Sequence, residues 1–234
     1  MQETKINNIM AKKLLKRKAT SSLPKSLLKE ARWVVKNRWT LLSTIPQSAH
    51  YAMQENMVTS LFSKSFPTNT NIHEVITKAS TLNLFYSTHV TAIPLLANDI
   101  ISIPNIDIRL KSGDLTLVPD IANAGNKQKT YRSFATKYCA CHNPKAYPIY
   151  DRIVRKYLAE VISKGNLPPY SESVNTIIQN MMNSYAYYVK VYDAFIKMYH
   201  LSSMTYRQVD LYIWVAHKSK ISARLSNLDL FNLI

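Results

Sequence analysis

Three glycines in 234 residues, at 113, 125 and 165, narrow what this chain can become. Tight β-hairpins depend on residues that accept positive φ, and glycine does so at no steric cost. Dinucleotide and Walker-type phosphate loops need several glycines within a few residues of one another, and three so widely separated can build neither. Hydrophobic residues still make up 47% of the chain, enough for a packed core. The expectation is an all-α fold: a basic arm over residues 1–25 and one helical domain over 26–234.

Periodicity and punctuation place the helices. One is expected over 26–39, with Leu27, Leu28, Ala31, Val34 and Val35 on one face. Asn71 and Glu74 have capping-box spacing and open a helix to about residue 83. The apolar stretch 84–103 contains Pro94 and is predicted to kink or split there. Residues 105–114 are turn-like or a short helix stopped by Gly113, and 115–123 a short apolar helix. Helices follow over 133–142 and 151–164, joined by a loop over 143–150, and two more over 174–199 and 205–218. No repeat is present, and no apolar run approaches the ~18 residues of a membrane span.

Thirty Lys and Arg face 14 Asp and Glu, a net charge of +16. Such an excess repels itself in the folded state and is balanced by a polyanion. Eleven of these cations and two acids lie within residues 1–40. Lys12, Lys13, Lys16 and Arg17 form the centre of a mobile or inducibly helical arm that would gain affinity from phosphates without reading sequence. Double-stranded DNA is the expected partner, with RNA an alternative. A solubility surface and an acidic partner or membrane surface are the competing readings. Met1 precedes polar residues rather than an apolar signal core, so a cytoplasmic, nucleoid-associated protein is expected.

Chemistry-bearing residues are densest between 127 and 158. Lys127, Lys129, Arg132, Lys145, Arg152 and Arg155 form a candidate phosphate-gripping rim around Asp151. Asp151 has two readings: a cap for the helix that follows, or a catalytic carboxylate. Lys137 is the one lysine of the 133–142 helix, reaching phosphate or solvent in one reading and acting as a nucleophile in the other. Tyr138, Tyr147, Tyr150 and His142 lie close to Asp151 in sequence and are candidates to line a base pocket. Cys139, Cys141 and His142 do not have the spacing of a metal site, so core packing is expected for the cysteines and neither metal nor cofactor is implied. Tyr185, Tyr188 and Tyr192 form a helical stripe expected in the core or a seam.

The order of a basic turn, an apolar helix carrying Lys137, a loop, and Pro148, Ile149, Tyr150 and Asp151 at the next helix start resembles the helix-hairpin-helix DNA glycosylases, in particular their 8-oxoguanine-glycosylase-like branch. Ile153, Val154 and Leu158 match the apolar spacing beyond the aspartate. The resemblance spans roughly residues 80–215 and is specific around 133–158. It implies excision of a modified or damaged base by cleavage of its N-glycosidic bond, in repair or in defence against modified phage DNA, with Asp151 as the essential carboxylate. The family's glycine-rich hairpin is reduced here to 118–125 with Gly125 alone, so Lys127, Lys129 and Arg132 would carry its phosphate contact. Lys137 stands nearer to Asp151 than the family's nucleophilic lysine does, so the resemblance implies excision without strand cleavage. The reading from another class is a helical nucleic-acid-binding module without catalysis.

Overall fold

A computed structural model of the chain describes residues 28–37, 51–125, 128–163 and 173–225. Among the described residues all regular structure is helical, in eleven α-helices, and the all-α expectation is met. Residues 1–25, with Lys12, Lys13, Lys16 and Arg17, lie outside the described residues, as does Lys127.

Helix α1, Leu28–Lys36, turns Ala31 and Val34 inward. α2, Tyr51–Ser60, continues into a π-helical turn, Leu61–Ser65, that buries Phe62. α3, Ile72–Tyr86, opens where the Asn71 side chain accepts from the His73 amide at 2.9 Å. It closes at Ser87, whose φ of 48° is left-handed. A side-chain staple holds the turn that follows: Asn83 Oδ1 accepts from Thr88 Oγ1 at 2.7 Å and from the Val90 amide at 3.0 Å. Of the two expectations for the stretch around Pro94, a kink or a split, the split is the one that forms. The chain has already broken before it, and Pro94 sits in the first turn of α4, Ile93–Ser102, where a missing N–H costs nothing.

α5, Ile106–Ser112, ends at Gly113 with φ 76°; a Cβ there would lie 2.8 Å from Ala146 Cβ, so turn and close approach both require glycine. α6, Leu117–Ala122, and α7, Arg132–His142, pack together across a turn closed by a bond from the Tyr131 amide to Ala122 O at 2.7 Å. α8 is Arg152–Ser163. The single helix expected over 174–199 is two, α9 (Val174–Asn183) and α10 (Tyr185–Met198). Ser184 separates them because its hydroxyl accepts from the Tyr187 amide at 3.2 Å and caps α10. α11, Tyr206–Leu225, ends the described chain.

α7 is the hub, packing against α3, α5, α6 and the π-helical turn, while α11 packs on α1 and α8. Lys137 and Tyr138 are successive on α7 and therefore about 100° apart around its axis. The Phe134, Tyr138 and His142 side meets Phe62, with ring centroids of Tyr138 and His142 5.3 and 5.0 Å from it. Buried Lys78 completes this side, donating to Thr68 O at 2.6 Å and Asn69 Oδ1 at 2.8 Å and lying 3.3 Å from His142 Nε2. Burial pulls Lys78 down to about 8, opposed by Asp107 and Glu74. Burial, reinforced by the charge of Lys78, takes His142 down to about 3, so its ring is neutral at physiological pH. The Ser133, Lys137 and Cys141 side of α7 turns elsewhere, and the candidate site forms there.

Candidate active site

One cavity brings together Glu55 of α2, Tyr86 of α3, Lys137 of α7, Ile149 of the loop before α8, Asp151 and Val154 at the start of α8, and Arg207, Asp210, Leu211 and Trp214 of α11. Its interior volume is about 50 Å³, room for a few water molecules, and it opens to solvent. Lys137 and Asp151, chosen from the sequence, line the same cavity.

Asp151 is both cap and cavity wall. Its Oδ1 accepts from the Val154 amide at 2.8 Å, the bond of an N-cap, which also fixes where the carboxylate stands. Lys137 is 4% exposed and donates to Ser133 Oγ at 2.6 Å, with its Nζ 5.5 Å from the centre of the Tyr86 ring. That burial overturns the expectation that it reaches solvent or phosphate. Burial also lowers its pKa, against the attraction of Asp151, Asp210 and Cys141, raising the share of neutral, nucleophilic amine.

Asp210 lies in the second turn of α11. It is 4% exposed, accepting from the Ile149 amide on Oδ2 at 3.1 Å and from Tyr192 Oη on Oδ1 at 2.8 Å. Burial pushes its carboxyl up to about 7, although Tyr192, Arg207 and the Ile149 amide pull it down. Arg207 is salt-bridged to Glu55 at 2.5 Å; burial opposes its charge, and Tyr86, Glu55 and Asp210 favour it more. A titratable carboxyl held near neutrality beside a desolvated lysine in a cavity marks a candidate site of proton or nucleophile chemistry. No short motif announces Glu55, Tyr86, Arg207, Asp210 or Trp214; the one available signal was the i, i+3, i+4, i+7 spacing of Arg207, Asp210, Leu211 and Trp214 on one helix face.

The sequence-expected base pocket is corrected. Tyr138 and His142 lie on the Phe62 side of α7, where Tyr138 donates to Asn69 Oδ1. Tyr147 is fully buried, its hydroxyl donating to the Arg109 and Asp114 carbonyls at 3.0 and 3.2 Å. Tyr150 packs edge-on to Tyr188 and lies under the Arg132 guanidinium at 5.5 Å. None of the four lines the cavity, because closeness to Asp151 along the chain does not survive helix rotation. Its aromatic walls are Tyr86 and Trp214.

Of the expected rim, Lys129, Lys145 and Arg152 are exposed, while Arg132 and Arg155 are half-buried. Arg132 Nη2 donates to Asn183 O at 3.3 Å, and Arg155 Nη1 to Tyr150 Oη at 3.4 Å. Arg132 also lines a second depression, between α6 and the start of α10, with Thr116, Asn123, Thr130 and Ser184. Cys139 is buried and Cys141 partly so; burial raises both thiols, Cys141 to about 12, so neither is a ready thiolate. Among the described residues no cluster of three His, Cys, Asp or Glu could hold a metal ion, and no helix is long and apolar enough to cross a membrane.

Residues 36–146 match the family model HI_0787_N, described as an N-terminal domain. That range carries Glu55, Tyr86 and Lys137, whereas Asp151, Arg207, Asp210 and Trp214 lie beyond it. An uncharacterized protein of Haemophilus influenzae is 45% identical over 92 residues, which are 38% of this chain and 46% of that protein. The chain thus aligns with less than half the length of that relative. No solved structure matches the chain.

Proposed function

We propose that the chain is a DNA glycosylase that draws a modified or damaged base out of the duplex and cleaves its N-glycosidic bond. One observation carries the reading: Lys137 of α7 and Asp151 at the head of α8 line a single cavity walled by Tyr86 and Trp214. A flipped base needs aromatic faces to replace its stacking partners, and the cavity supplies two. As the C1′–N bond stretches, the sugar gains oxocarbenium character, and the Asp151 carboxylate is the group that stabilises it. The attacking group at C1′ is water or the Lys137 amine, and the buried setting of Lys137 favours the amine. Attack by that amine forms a C1′–Nζ bond as the bond to the base breaks, and the base leaves with a proton given up by the amine. Opening of the C1′–O4′ bond, with a proton passing from Nζ to O4′, then gives the sugar–lysine imine. The packed pair α6 and α7, joined by a closed turn, supports the helix-hairpin-helix resemblance, and Arg132, Lys129 and Arg152 are available for phosphates.

The test offers the full chain duplexes carrying varied modified bases, reveals abasic sites with alkali, and traps protein–DNA adducts with borohydride. Asp151→Asn retains the cap and most of the volume, so it should fold and bind DNA while excision falls at least a hundredfold. The parent should be trapped and Lys137→Ala should not. Excision by Asp151→Asn at the parent rate refutes the catalytic assignment. Salt-sensitive DNA binding without cleavage of any base would mark a binding module instead.

A further inference from the structure

Residues 148–150, which deliver Asp151 to the cavity, have every backbone polar group bonded to a side chain. Pro148 O accepts from Tyr185 Oη at 2.9 Å, and Ile149 O from Tyr188 Oη at 2.7 Å. The Ile149 amide donates to Asp210 Oδ2 at 3.1 Å, and the Tyr150 amide to Thr136 Oγ1 at 3.1 Å. The single hydrogen of Thr136 Oγ1 is shared between Tyr150 O at 3.4 Å and Ser133 O at 3.3 Å. Pro148 has no amide hydrogen, so the account is complete.

A buried turn must satisfy its backbone in some way, and most do so with their own main chain or with water. Here the partners come from three other helices, α7, α10 and α11. The two tyrosines donate from a stacked pair, 6.0 Å between ring centroids, that is buried in the core. Both rings are held by packing, so each hydroxyl is fixed before it bonds. A carboxylate that stabilises a transient charge must stand within about half an ångström of its place, which calls for supporting side chains that are themselves locked.

We propose that Tyr188, Tyr185, Thr136 and Asp210 are positioning residues for Asp151, gripping the 148–150 backbone so that its carboxylate meets the sugar at the cavity wall. The proposal rests on the glycosylase reading and extends it to Tyr188, Tyr185 and Thr136, which do not line the cavity, and to Asp210, which does.

Tyr188→Phe removes the 2.7 Å bond and keeps the ring. Tyr199→Phe is the matched control, because the Tyr199 hydroxyl is buried with no hydrogen-bond partner among the described residues. Made in the full chain, Tyr188→Phe should slow single-turnover base release about tenfold, the rate equivalent of one hydrogen bond, with DNA affinity unchanged. In an Asp151→Asn background the same change should add nothing, since it acts through Asp151. Tyr199→Phe should leave the rate unaltered. A Tyr188→Phe protein that melts earlier but releases base at the parent rate per folded molecule overturns the proposal, as does an equal loss in the Asp151→Asn background. Should Tyr188→Phe fail to fold, Tyr185→Phe carries the same expectations. If the parent releases no base at all, the glycosylase reading falls on its own. Amide exchange then decides positioning. The Val154 amide, which donates to Asp151, should exchange at least severalfold faster in Tyr188→Phe than in Tyr199→Phe when each is referred to Val75 in α3. Equal ratios overturn it.

Discussion

Asp210→Asn should stabilise this protein near pH 8 and do little near pH 4. Asp210 is 4% exposed and its carboxyl sits at about 7 in the fold. In an unfolded chain an aspartate titrates at about 3.9, so the folded state holds the proton over roughly three further pH units. At about 1.4 kcal/mol per unit, the difference is of order 4 kcal/mol. The folded pKa is the higher, so between about pH 4 and pH 7 the folded chain binds more protons than the unfolded one. Stability from this group therefore falls as pH rises through that window and is absent above it. Asparagine cannot ionise, yet its oxygen can still accept from the Ile149 amide and its nitrogen can donate to Tyr192 Oη. Urea titrations of parent and variant at about pH 4 and about pH 8 measure the effect. The variant should gain on the parent by several kcal/mol between the two. An equal difference at both pH values would show that burial does not raise Asp210, and the reasoning would fail. Confirmation would mean that the chain keeps an ionisable group in a cavity wall where a neutral one folds better, which is how functional sites differ from cores.

Two further outcomes follow from the geometry. DNA binding by the full chain should weaken linearly in log K against log salt, and Arg132→Ala should lower affinity across all sequences while reducing that slope by about one; an unchanged slope removes Arg132 from the phosphate contacts. Gly113→Ala must adopt φ 76° and place its Cβ 2.8 Å from Ala146 Cβ, so a denaturant titration should show a loss of about 2–4 kcal/mol, and a loss under 1 kcal/mol would show that the turn relaxes freely.

The cavity places proton chemistry and aromatic packing side by side. Lys137, Asp210 and Arg207 share a desolvated space: Asp210 favours the charged forms of Lys137 and Arg207, while Arg207 favours the charged form of Asp210 and the neutral form of Lys137. A lysine in such a place keeps more neutral amine than one in water, and a carboxyl that titrates near neutrality can give up or take a proton at physiological pH.

Local sequence rules determined the elements of this fold. Scarce glycine and helical spacing specified an all-α chain, Asn71 and Gly113 marked helix ends through their own side chain or lack of one, and Asp151 was legible as a helix start. Asp151 was legible as a candidate because it stands at a helix start after a loop, and Lys137 because it is the one lysine of its helix. Local rules left a choice open where two outcomes were close competitors. Pro94 suits the interior of a kinked helix or the first turn of a new one, and the Asn83 staple selects the second. Ser184 in an apolar run can be tolerated within a helix or cap a new one, and its bond to the Tyr187 amide makes it a cap.

Tertiary structure alone decided which side of α7 faces the cavity. Lys137 and Tyr138 are adjacent in sequence, but Phe62 and the Lys78 network claim one side of the helix and leave the other to Arg207, Asp210 and Trp214. Those partners are separated from Lys137 by 70 or more residues, and Glu55 and Tyr86 by more than 50, so no local pattern could bring them together. Packing of α2, α3 and α11 against or near α7 supplies the site, because hydrophobic burial fixes how helices face one another while the polar residues left between them become the cavity.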